Sequence, residues 1–108
     1  MGKRSRTKGA SAEREVVKIL KEAGFETERN LTQTRDGGRD LLGIDGFAIE
    51  VKRQERLNIQ SWWEQAVSQA GDDSPVLLFR RNREKWRVVI ELDHFVNYLK
   101  LRREKDDD

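Results

Sequence analysis

A chain of 108 residues has room for one compact domain with a single core, and not for a separate regulatory module, so the same domain must both bind and act. Charged residues make up 39% of it and hydrophobic ones 35%, which gives a soluble globular profile with its apolar side chains gathered in short patterned runs. With no cysteine, a disulfide framework, a thiolate metal site and a cysteine nucleophile are excluded, and a reducing, intracellular setting fits.

The net charge is only +2, but its sign is unevenly spread. Lys3, Arg4, Arg6 and Lys8 open the chain without an acid, and Arg80, Arg81, Arg83, Lys85 and Arg87 cluster later. Such patches suit a polyanion, whose condensed counterions are released on binding, although solvated surface charge looks the same in one sequence. No apolar signal region follows the basic start, and no run approaches the roughly 18 apolar residues of a membrane span, so the chain is read as mature over its whole length.

Residues 1–8 lack apolar anchors and read as a flexible basic arm. A helix then starts at Gly9 or Ser11, runs to Ala23 and stops at Gly24. Phe25 to Asn30 suits an edge strand, and Thr32 to Arg39 reads as a mobile polar loop. Asp40 to Gly43 and Phe47 to Arg53 are strand-like, with the Asp45-Gly46 pair signalling a hairpin turn between them. In the second strand Phe47, Ile49 and Val51 point to one face and Ala48, Glu50 and Lys52 to the other, the pattern of a half-buried strand.

From Ile59 to Ala70 the positions Ile59, Trp62, Trp63, Ala66, Val67 and Ala70 recur at helical spacing, with Gly71 as the stop and the tryptophans as core. Val76 to Phe79 and Trp86 to Ile90 read as two more strands, and Asp93 caps a last helix carrying Phe95, Val96, Tyr98 and Leu99. Residues 105–108 form an acidic tail. The order α-β-β-β-α-β-β-α gives an α/β fold, a sheet flanked by helices.

Candidate chemistry lies on the polar face of the second strand. Residues two apart on a strand share a side, so Glu50 and Lys52 project together. Taken alone, this E-x-K pair is more often a surface ion pair. Asp40 changes the weight. A three-residue loop, Ile44-Asp45-Gly46, opposes residues 43 and 47 and sets Asp40 across from Glu50; a two-residue Asp45-Gly46 loop instead opposes Asp40 to Val51 and turns it to the apolar side. The hydrophobic pattern tolerates either register, and the chemistry of a paired-carboxylate site favours the first.

Glu13 supplies a third carboxylate. At about 100° per residue it falls between Val17 and Leu20, in the sector of Ala12, Val16 and Ala23, while Arg14, Glu15, Lys18, Lys21 and Glu22 occupy the opposite arc. A core-facing carboxylate is costly unless paired or metal-bound, although an acid in a first helical turn is also favoured by the dipole. Three carboxylates converging on one pocket offer hard oxygen ligands suited to Mg²⁺, with Mn²⁺ as a substitute, rather than zinc. His94, the single histidine, is read as structural or solvent-facing. Phosphodiester hydrolysis needs an activated water and a stabilised phosphorane, for which Asp40 and Glu50 would hold metal, Lys52 would orient the nucleophile, and Glu13 would complete the metal shell.

Lys8-Gly9 with Glu13-Arg14, then Gly38-Arg39-Asp40, then Glu50-Val51-Lys52, together resemble the archaeal-type Holliday junction resolvases of the PD-(D/E)XK nuclease superfamily. The resemblance spans residues 8 to 90 and includes the element order. It implies a restriction-endonuclease-like αβββαβ core with a mixed central sheet, here a nuclease domain over 9–104. It further implies Mg²⁺-dependent cleavage of DNA, and a homodimer that nicks symmetry-related strands of a four-way junction in recombination and repair. Its helix glutamate falls on Glu13, its metal aspartate on Asp40 and its E-x-K pair on Glu50 and Lys52; the Val51 carbonyl would be a further metal ligand, and Gln65 or Gln69 the glutamine that the wider superfamily places on the next helix. Arg39 stands where proline is common, and the chain is shorter than many relatives. A small stand-alone resolvase fits archaeal or phage genome processing, the latter in the host cytoplasm.

On this reading Lys3, Arg4, Arg6, Lys8, Arg35, Arg39 and Arg53 are the candidate DNA contacts, which position the duplex without reading bases. Two alternatives stand beside it: a nuclease for flaps, mismatches or restriction sites, and a noncatalytic nucleic-acid-binding module.

Overall fold

Apolar alternation in the strands and helical spacing on either side of them produce a sheet covered on both faces. The computed structural model describes residues 2–32 and 38–107, with side chains from Gly9 onward. The elements run α1 (Gly2–Glu22), β1 (Glu28–Arg29), β2 (Leu41–Leu42), β3 (Phe47–Arg53), α2 (Ile59–Ala70), β4 (Ser74–Arg80), β5 (Arg87–Val89) and α3 (Leu92–Asp107). Among the described residues the strands form one mixed sheet in the order β1-β2-β3-β4-β5, with β3 and β4 parallel and the other neighbours antiparallel. The parallel pair requires a crossover, and α2 supplies it.

One core packs Ala12 and Val16 of α1 against Leu41, Ile49, Val51 and Val76. The other joins Trp62 of α2 to Leu77 and Phe79, and α2 turns inward along Trp62, Ala66 and Ala70. β3 therefore has helices over both faces, and Ala48, Ile49, Glu50 and Val51 are all buried. This corrects the expectation of a half-buried strand: short side chains at Ala48, Ala66 and Ala70 leave the polar-looking face open to close approach by a helix. Trp62 is core as expected, whereas Trp63 is half-buried at the edge of that cluster.

The hairpin register is the one that the site needs. Leu41 pairs with Ile49, which places Asp40 opposite Glu50 and leaves Ile44, Asp45 and Gly46 as the loop. Gly43 fixes the approach of β1 as well. Its φ is +102°, and a Cβ there would stand 2.5 Å from the Glu26 carbonyl oxygen, while Thr27 Oγ1 donates to the Leu42 carbonyl at 2.6 Å.

Both ends differ from expectation. Helix α1 begins at Gly2 instead of Gly9 or Ser11, so the basic segment continues the helix; no proline interrupts it, and Gly9 has open space around its Cα. Helix α3 begins one residue before the expected cap Asp93 and runs through the acidic residues to Asp107. Among the described residues of α3 none is buried, and Leu92, Phe95, Val96 and Leu99 form an exposed apolar stripe. His94 is structural: its Nε2 lies 2.8 Å from Ser74 Oγ, and its ring meets the edge of Phe47.

Candidate active site

Asp40 ends the loop that leads into β2, and its place is set by the main chain on both sides. The Asp40 amide donates to the Ile49 carbonyl at 2.9 Å, and Asp40 Oδ2 accepts the Val51 amide at 2.7 Å. Across the hairpin, Glu50 shares its face of the sheet with Leu77, its parallel partner on β4, and both are sealed from solvent. Glu50 is 1% exposed and Asp40 8%. A carboxyl in that position loses hydration with little to replace it.

The titration of the pair follows from this burial. Glu50 is pushed up to about 8, first by desolvation and then by the negative charge of Asp40, with Lys52 opposing the rise. Asp40 is also raised by desolvation, against the Val51 amide, which favours its charged form. Glu50 thus holds a proton near neutral pH and shares it with Asp40. From α2, the amide nitrogen of Gln69 donates to Glu50 Oε1 and, at 2.6 Å, to the Gly38 carbonyl oxygen.

A cavity of about 610 Å³ opens beside the pair, and Glu13, Asp40, Val51, Lys52, Arg53 and Gln65 are on its wall. Glu13, 7% exposed, faces inward from α1 as its helical position requires, and Arg29 Nε donates to its Oε1 at 2.9 Å. Glu13, Asp40, Lys52, Arg53 and Gln65 thus share one cavity, Glu50 adjoins it through Asp40, and Gln69 reaches Glu50.

Glu13 faces the same region as the pair, close enough for its charge to help raise the pKa of both Asp40 and Glu50. Among the described residues no three His, Cys, Asp or Glu side chains gather into a ready metal cluster. Asp40 and Glu50 form a pair, and Glu13 is drawn to Arg29. Arg39 departs from its expected place at the pocket. Its guanidinium donates to Asp73 at 2.6 Å and to the carbonyls of Phe47 and Ala70 at 3.2 and 3.4 Å, tying the start of β3 to the end of α2. The side chains of Lys3, Arg4, Arg6 and Lys8, and the whole of Arg35, lie outside the described residues.

Two residues here escaped the sequence pattern. Arg29 sits on a strand of two residues, too short for alternation to show where it points. Glu15, placed on the solvated arc of α1, is a hub. Its Oε1 accepts Arg80 Nε at 3.0 Å and Trp86 Nε1 at 2.7 Å, and its Oε2 accepts Arg80 Nη2 at 2.9 Å and Arg53 Nη1 at 3.3 Å. The Arg80 bond above all holds its pKa below the usual glutamate value. The one available signal was the basic and aromatic composition of the strand ends at Arg53, Arg80 and Trp86, which a helical projection does not see.

A mixed sheet entered through a helix carrying an inward glutamate, with an acid and an E-x-K strand meeting across a hairpin, is the restriction-endonuclease-like arrangement. By sequence, residues 4–106 match the family described as phage putative PDDEXK endonuclease, and the chain belongs to that family. No curated protein matches it. Among solved structures it is similar to Archaeoglobus fulgidus Hjc, a Holliday junction resolvase from an archaeal hyperthermophile, with a TM-score of 0.57 and 26% sequence identity over 72% of each chain. Among the described residues, no helix is long and apolar enough to cross a membrane.

Proposed function

We propose that this nuclease is a structure-selective DNA endonuclease that depends on Mg²⁺, with Mn²⁺ as a substitute, and resolves four-way junctions by paired symmetrical nicks. The observation that carries the reading is the facing pair Asp40 and Glu50, with Asp40 and Lys52 on the wall of an open cavity and Glu50 buried directly behind it. The donor set fits a divalent cation of this class. Two buried carboxyls that must otherwise share a proton offer hard oxygen ligands, and a dication relieves their repulsion.

Asp40, Glu50 and the Val51 carbonyl are the assigned metal ligands, with Glu13 completing the shell. When bound, the ion supplies Lewis-acid activation of water and phosphate. Asp40 enters with one oxygen already aimed by the Val51 amide. Gln69 holds Glu50 Oε1, so the orientation of that carboxylate is set from α2. Lys52 lines the cavity, and its ammonium is assigned to orient the attacking water and offset charge growing on the phosphate. Gln65 is a polar support on the same wall.

Lys3, Arg4, Arg6, Lys8, Arg35 and Arg53 are assigned to the phosphate backbone, so binding weakens with salt. Arg39 is withdrawn from that set, because Asp73 engages it. Paired nicking needs two active sites, and the exposed stripe of α3 supports assembly of two copies as a homodimer. Recombination and repair intermediates in an intracellular setting are the corresponding substrates.

Labelled four-way junction, flap and linear duplex are incubated with the protein in Mg²⁺ or EDTA. Junction cleavage at two symmetrical positions in Mg²⁺ alone is the expected result. Cutting of flap or duplex in preference to junction moves the specificity to another DNA structure, and DNA binding without any cleaved product leaves a noncatalytic binding module.

A further inference from the structure

The donors around Glu15 are unequally satisfied. Arg53 and Arg80 are register partners on the parallel strands β3 and β4, so two guanidinium groups emerge side by side at the strand ends. Arg80 is fully employed: it grips both oxygens of Glu15, donates from Nη1 to the Arg81 carbonyl at 2.9 Å, and lies 5.3 Å from the centre of the Trp86 ring. Arg53 is not. Among the described residues its one acceptor is Glu15, at 3.3 Å, and its Nε is buried without a partner. Arg53 is also the member of the pair that lines the cavity.

A buried donor left unpaired in a native fold asks for an acceptor. The cavity beside it is where the proposed function places a phosphodiester. Arg80 and Trp86 therefore anchor the Glu15 carboxylate, and the remaining lone pairs of that carboxylate hold Arg53 beside its neighbouring guanidinium despite their like charge.

We propose that Glu15 is a positioning residue for DNA binding, which holds the Arg53 guanidinium at the cavity wall as a ligand for a backbone phosphate. This rests on the nuclease reading. The proposal makes an unusual demand of sign. Removing an acid from a DNA-binding surface ordinarily tightens binding, because net positive charge rises. Here, loss of the Glu15 charge loosens binding, because Arg53 loses its orientation.

Binding of labelled four-way junction is measured in EDTA across a salt series for the wild type, Glu15→Gln, Arg53→Ala and the double variant, with thermal melts to establish folding. Arg53→Ala is expected to weaken binding by about threefold or more and to lower the salt slope by about one. Glu15→Gln is expected to do the same, and the double variant to bind no more weakly than Arg53→Ala. Equal or tighter binding by folded Glu15→Gln overturns the proposal, as does a double variant whose loss is the product of the single losses. If Glu15→Gln does not fold, Arg53→Ala decides alone, and unchanged affinity and slope overturn the proposal. A wild type that cuts DNA while Glu15→Gln binds undiminished defeats this inference only, whereas a wild type that neither binds nor cuts any DNA defeats the nuclease reading beneath it.

Discussion

Two carboxylate sites flank the end of β3, and they are electrostatic opposites. At Asp40 and Glu50 two acids face each other inside the fold, with Lys52 as the nearby cation and one proton retained to ease the crowding. At Glu15 one acid receives two arginines and an indole, and its pKa falls. The first site has hydrogen-bond donors in the Val51 amide and Gln69 but an excess of negative charge; the second is nearly saturated with positive charge. Crowded buried acids of this kind cluster at functional sites, and this contrast separates the candidate chemistry from its support.

The largest expected effect tests the crowded pair directly. Asp40→Asn keeps the shape and the Val51 contact but removes a charge, so cleavage should fall by at least about 10²-fold while DNA binding is retained. Undiminished nicking by this variant would break the contrast. The next effect is on pH dependence. Glu50 titrates near 8 in the folded chain and near 4.5 when unfolded, so between those values the native state binds more protons, and stability in EDTA should decline as pH rises from about 5 to about 8. Asp40 is raised and acts in the same direction. Thermal melts of Glu50→Gln should show a much flatter profile, and a wild-type profile that is already flat refutes the crowding. Added Mg²⁺ should restore most of the lost stability at the upper end.

The smallest effect belongs to the saturated site. Trp86→Phe deletes the 2.7 Å bond to Glu15 and leaves both arginines in place, which should cost about 1 kcal/mol in denaturant unfolding. A loss several times larger would mean that the hub is far less redundant than its four bonds suggest. The Glu15 contribution also has the opposite pH sense from Glu50: its pKa is depressed, so the stabilisation is present above the ordinary glutamate value and lost below it.

What could be read from the chain alone follows from these physical differences. Periodicity located α2 to the residue, Ile59 to Ala70, because its apolar stripe and its Gly71 stop agree. It also turned Glu13 inward correctly. The Asp40 register was open between two turns, and hydrogen bonding across the sheet settled it as the three-residue loop. The second covered face of β3 was hidden because alanines carry little hydrophobic signal, yet they are what lets α2 come close. Arg39 and Glu15 were misplaced for a common reason. Each is bonded to groups at least 8 residues away, and up to 71 for Glu15 with Trp86, so local spacing held no information about their partners.

The Val51 amide that aims Asp40 is a peptide group, and that has a consequence for how the nuclease tolerates change. Every residue except proline brings the same N–H to position 51, so side-chain drift at that point leaves the aim of the aspartate intact. Its alignment is inherited from the course of the polypeptide and is insulated from much of the variation in the surrounding packing.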